Sequence, residues 1–136
     1  MNKKEYFSSI STYNTNIRRY RELARRLREA ATDTSVHYRE IDVQKSPNYH
    51  PMATLVEQAI YYDQKADELS GEREVVLSKV TKSIAGLDDP VLEEVLTLRY
   101  ISPCLPMAQI GEMLHLSRSQ VYQLHDKALG LVELDI

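Results

Sequence analysis

The richest hydrogen-bonding chemistry at a usable spacing lies near the C-terminus, in Ser117-Arg118-Ser119-Gln120-Val121-Tyr122-Gln123-Leu124-His125-Asp126-Lys127-Ala128. Val121, Leu124 and Ala128 recur at steps of three and four, so they share the inward side of a helix. Arg118, Ser119, Tyr122, Gln123 and Asp126 then face outward, near the helix's N-terminal end. An arginine fork can donate twice to guanine O6 and N7, and a glutamine amide can pair with adenine. Ser117, beside the free amides of a helix start, can hold a phosphate, and Lys127 can hold a second. Ser117, Arg118, Ser119, Tyr122, Gln123 and Lys127 are therefore the candidate contacts to duplex DNA. The competing interpretation is a solvated face that binds nothing.

Other chemistries find little support. His37, His50, His115 and His125 and the single cysteine, Cys104, have no metal-ligand spacing. Glu93 and Glu94 are adjacent, so they point to different helix faces and suggest no shared acid–base work. There is no glycine-rich phosphate loop and no nucleophile motif. The sequence therefore predicts no catalytic residue, no cofactor and no metal, and a protein that is not an enzyme. One cysteine forbids an intrachain disulfide, which fits the cytoplasm. No apolar run approaches the ~18 residues of a membrane span. The basic start, Met1 to Lys4, leads into no apolar segment, so no secretion signal is expected.

The elements that must position the candidate residues follow from the twenty residues Met107 to Asp126. On a helix-turn-helix template, Ile110 is an inward apolar residue. Gly111 is the small residue where two helices cross closely, and Leu114 and Leu116 flank the turn. Val121 and Leu124 anchor the second helix. Ser117 and Gln120 form a Ser-x-x-Gln capping box that starts it. Asp89-Pro90 reads as an N-cap followed by proline at the first helical position. It opens a covering helix, Val91 to Ile101, that brings Leu92, Val95, Leu96 and Leu98. His115 stands where such a turn usually carries glycine, so a positive φ is needed at some cost. Ser102-Pro103-Cys104-Leu105-Pro106 has no Ser, Thr or Asp directly before Pro106, which predicts an irregular loop.

Leu92 through Tyr100, with Ile110-Gly111, Leu114, Ser117, Ser119, Val121 and Ala128-Leu129, resembles the last domain of the bacterial sigma-70 family. In that domain a recognition helix reads the promoter −35 element. The whole chain, including Val43-Gln44-Lys45-Ser46-Pro47 through Met52, resembles Gram-positive phage and prophage transcriptional regulators of the RinA/ArpU type. That resemblance implies a helical N-terminal part joined to a sigma-like helix-turn-helix. It also implies a regulator of phage late genes acting on double-stranded DNA beside bacterial RNA polymerase.

The rest of the chain must carry that module. From Lys3 to Ala31, apolar residues at Tyr6, Ile10, Tyr13, Ile17, Tyr20, Ala24, Leu27 and Ala31 alternate steps of four and three, a heptad seam. Ser8, Ser9, Ser11, Thr12 and Asn14 are poor helix formers, so its first half is expected to fray. A polar connector, Thr32 to Pro51, follows, in which Val36, Tyr38, Ile41 and Val43 could pack back. A second seam runs from Met52 to Ala85, interrupted at Arg73 and weakened at Gly71, and Gly86 fits its end. Neither helix can bury its stripe alone. The expected fold is all-α: a long antiparallel helical hairpin or coiled coil, then a C-terminal three-helix helix-turn-helix module. The expected domains are 1–87, an oligomerisation region with connector 32–51, and 88–136, a DNA-binding domain.

Charge divides along the same line. Residues 1–31 carry eight basic groups against three acidic, a net of +5, and residues 88–136 carry three against eight, a net of −5. An acidic module should bind phosphates weakly alone, which favours a homodimer or higher homo-oligomer on one site. Arg18, Arg19, Arg21, Arg25, Arg26 and Arg28 have two interpretations. They could contact the DNA backbone, or flank the hairpin and pair with Glu57, Asp63 or Glu68; the flank is favoured. Two rivals to a transcription regulator remain: a phage DNA-packaging subunit of the small-terminase kind, and a polymerase-binding module without DNA contact.

Overall fold

The alternating steps of three and four emerge as two long helices in the computed structural model, which describes residues 2–37 and 52–134. Helix α1 is Lys3–His37 and α2 is Met52–Ala85. They are followed by α3 (Pro90–Leu96), a π-helical turn (Thr97–Ile101), α4 (Met107–Leu114) and α5 (Arg118–Leu131). No strand occurs among the described residues, and the fold is all-α as expected. Helix α1 continues past the end of its seam through Thr32 to His37, residues the sequence assigns to the connector. The expected packing of Val36, Tyr38, Ile41 and Val43 lies outside what the structure describes.

Contacts divide the chain into two units. One joins Met1–Asn14 to Glu72–Ile136, and the other is Thr15–Gly71. In the second unit, Ile17 and Ala24 of α1 and Leu55, Ala59 and Ala66 of α2 are buried. Alanines on both helices allow close approach, and Tyr20 stacks on Tyr62 with centroids 5.8 Å apart. The arginine run largely flanks this pair. Arg28 reaches Asp63 at 2.6 Å and Arg21 reaches Asp67 at 3.0 Å. Asp63 is among the expected partners; Asp67 takes the place of Glu57 and Glu68. Arg25 bridges Glu22 and Glu29 along α1, and its hydrogen bond holds the Glu22 carboxyl down at about 2. Arg18 and Arg19 are exposed and make no ion pair among the described residues.

In the first unit the start of α1 does not fray. Phe7 and Ile10 are fully buried with Val76, Val80, Ile84 and Leu87, and against Leu92, Leu96, Tyr100, Ala128 and Val132. Tertiary burial overrides the weak propensity of the serines and threonines around them. Phe7 lies off the heptad seam and meets the Tyr100 ring edge-to-face at 5.4 Å. Arg73, which interrupts the second seam, donates to Asn14 Oδ1 at 2.9 Å. Two further bonds tie down the chain end. Lys3 Nζ donates to the Leu129 carbonyl at 3.3 Å, and the Ser83 hydroxyl to that of Glu133 at 2.7 Å.

Candidate nucleic-acid interface

The covering helix begins where the sequence places it. The Asp89 side chain accepts the Val91 N–H at 2.9 Å, with Pro90 at the first helical position. The expected single helix to Ile101 instead changes winding: α3 ends at Leu96 and a π turn carries Thr97–Ile101. Leu92, Val95 and Leu96 are buried as expected, while Leu98 is half-buried. Tyr100, four residues after Leu96, is buried within this turn. The following loop is irregular, with a cis Ser102–Pro103 peptide and Cys104 at φ 64°. It is braced by Arg99 Nη1 donating to the Leu105 carbonyl at 3.0 Å. No side chain caps α4, whose N-cap is Pro106.

The turn between α4 and α5 has the geometry its residues demand. Met107, Ile110 and Val121 bury with Val95 in a second cluster, edged by Leu114, Leu116 and Leu124. A Cβ on Gly111 would sit 2.8 Å from the Leu116 carbonyl oxygen and 3.3 Å from Val121 Cγ2, so only glycine fits without movement. His115 takes the left-handed conformation, φ 58° and ψ 43°, and the Leu116 N–H closes the turn on the Gly111 carbonyl at 2.8 Å. Ser117 then caps α5. Its hydroxyl accepts the Gln120 N–H at 3.2 Å while Gln120 Oε1 accepts the Ser117 N–H at 2.9 Å.

These constraints fix which face of α5 meets solvent. Val121 and Ala128 are fully buried, and Ser117, Arg118, Ser119, Tyr122, Gln123 and Lys127 are all exposed. At about 100° per residue, Ser119, Tyr122, Gln123 and Asp126 share the outward stripe. Arg118 lies at its edge with its guanidinium over the Tyr122 ring, 5.7 Å from the centroid. Lys127 lies on the opposite flank, lining a cleft with Gly86, Leu87, Asp88 and Asp89. Ser117 Oγ accepts the cap bond, and its hydroxyl hydrogen is left to donate.

Sequence reasoning missed the polar residues behind this face. His125 is 2 % exposed, the single buried polar residue among those described. The Tyr100 hydroxyl lies 2.5 Å from its Nε2, and its Nδ1 lies 3.0 Å from Asp126 Oδ1. Burial lowers the His125 pKa, opposed by the hydrogen bond to Asp126, and burial raises that of Tyr100. The signal was present: Val121, His125, Ala128 and Val132 step by four, three and four, an inward stripe with a histidine in it.

Residues 90–131, from the first residue of α3 to the last of α5, match the family described as sigma-70, region 4. The C-terminal module is thus a helix-turn-helix like that DNA-binding region. No curated protein and no solved structure matches the chain. Among the described residues, no helix is long and apolar enough to cross a membrane.

Proposed function

We propose that the chain is a sequence-specific, double-stranded DNA-binding transcription regulator in which α5 enters the major groove. One observation carries this reading: a polar stripe lies on the solvent side of a capped helix, within the stretch matching sigma-70 region 4. In this reading Arg118 donates to guanine and Gln123 pairs with adenine, with Ser119 and Tyr122 between them. Ser117 and Lys127 hold phosphates. Residues 88–136 form the DNA-binding domain. Residues 1–87 bring two or more copies onto one site, which compensates for the weak binding of a single acidic module. The likeness to RinA/ArpU-type regulators supports a role at phage late genes, in the cytoplasm of the bacterial host and beside its RNA polymerase.

A mobility-shift titration with the DNA upstream of the neighbouring late operon tests the proposal. Arg118→Ala with Gln123→Ala removes two base contacts worth about 1–3 kcal/mol each, so binding should weaken roughly thirtyfold or more. Affinity should also fall with salt, with a shallow slope because each copy sets one lysine against phosphate. Equal shifts for wild type and double variant would refute the assignment of α5, and no shift by either protein would favour a polymerase-binding module. A ring-sized oligomer would point to a DNA-packaging subunit.

A further inference from the structure

The outward stripe of α5 contains one residue with no role so far. Asp126 lies between Tyr122 and Gln123 on the side away from the core, and its side chain is 77 % exposed. An exposed aspartate ordinarily samples several rotamers. This one is tethered from behind, because His125 Nδ1 lies 3.0 Å from Oδ1. A carboxylate only accepts, so the Nδ1 hydrogen is donated to Asp126, and Nε2 is left as an acceptor. The Tyr100 hydroxyl donates to it at 2.5 Å, and the Tyr100 ring is itself seated edge-to-face on Phe7. Phe7, Tyr100, His125 and Asp126 thus form a chain from the core of the first unit to the centre of the exposed face. Its end is a carboxylate with one oxygen anchored and the other free.

Resting on the reading of α5 as a groove helix, we infer that Asp126 reads a base, its free oxygen accepting from the cytosine N4 amino group. His125 and Tyr100 are positioning residues that aim it. In the major groove the amino donors are cytosine N4 and adenine N6. Adenine sets the N7 lone pair beside its amino group, which repels a carboxylate, whereas cytosine presents a carbon-bound hydrogen there. Anchoring one oxygen removes the rotamer freedom that binding would otherwise have to freeze. It also keeps the negative charge over the base edge rather than toward the phosphates.

Selection of sites from a randomised duplex pool tests this with four full-length proteins: wild type, Asp126→Asn, Asp126→Ala and Tyr100→Phe. Wild type should prefer cytosine at one base pair by about fivefold, the low end for a base contact. Asp126→Asn should move that preference to adenine, and Asp126→Ala should abolish it, with neighbouring positions unchanged. Tyr100→Phe keeps the ring on Phe7 but leaves His125 Nε2 without its donor. It should blur the same position severalfold, whereas a purely structural role would weaken all sequences alike. If wild type selects a defined site and both Asp126 variants select the same one, the inference fails and the proposed function stands. It fails equally if Asp126→Ala binds every sequence more tightly by one factor, which would make Asp126 a repulsive charge. If wild type selects no site at all, the proposed function fails first and the inference with it.

Discussion

Glycine-to-alanine substitution at two helical positions should change stability in opposite directions. Within a helix, alanine is favoured over glycine by about 1 kcal/mol because the glycine backbone loses more freedom on folding. Gly71 lies inside α2, and a Cβ added there would meet nothing within 4 Å, so Gly71→Ala should realise that gain. At Gly111 the same methyl group would lie 2.8 Å from the Leu116 carbonyl oxygen and 3.3 Å from Val121 Cγ2. The valine can yield, but the carbonyl cannot easily. Leu116 is held by its N–H bond to Gly111 at 2.8 Å, and the next residue caps α5. Overpacking of this kind costs about 1–3 kcal/mol. Against the propensity gain, Gly111→Ala should be net destabilising by up to about 2 kcal/mol. The two variants should then differ by about 1–3 kcal/mol. Urea denaturation followed by far-UV circular dichroism suits a chain without tryptophan. Thermal midpoints should move by roughly 2–8 °C per kcal/mol at domain sizes bracketing this chain. A Gly111→Ala protein stabilised as much as Gly71→Ala would refute the close crossing of α4 and α5.

Other substitutions probe separate features of the fold. Ser117→Ala breaks the reciprocal cap with Gln120 and should cost about 1 kcal/mol in the same denaturation assay. Phe7→Ala empties a site in the core shared with Tyr100 and should cost about 3–5 kcal/mol; a loss under about 1 kcal/mol would mean α1 is not seated there. The lowered pKa of buried His125 makes the unfolded chain the better proton acceptor at mildly acidic pH. Its contribution to stability is therefore intact above the ordinary histidine value of about 6.5 and declines as pH falls toward the lowered folded value. Melting curves from about pH 7.5 to 5.0 should show that decline in wild type and a smaller one in His125→Gln. Identical profiles would remove His125 as its source.

Features decided within a turn or two of helix were legible in the residues. Ser117 and Gln120 announce a capping box and Asp89-Pro90 a helix start, because each acts on atoms at most a few residues away, and Gly111 announces a close crossing within ten residues of chain. Periodicity likewise placed α2 and the inward side of α5, since facing inward is a property of spacing alone. The left-handed turn at His115 and the irregular loop before α4 followed from local rules about φ and capping.

Spacing names the buried side of a helix but not what lies against it, and there only the tertiary structure decides. Phe7 is peripheral to its seam until the core supplies the Tyr100 ring, and that burial holds α1 helical from Lys3. The π turn has no counterpart in the spacing, because Leu92, Leu96 and Tyr100 step by four as they would in an ordinary helix. By residue type His125 belongs among the surface polar groups. A hydroxyl supplied by a segment distant in sequence satisfies its ring nitrogen and makes its burial tolerable. The composition of the exposed stripe on α5 was therefore written in the sequence, whereas the anchoring of Asp126 within it depends on a contact that exists only once the chain has folded.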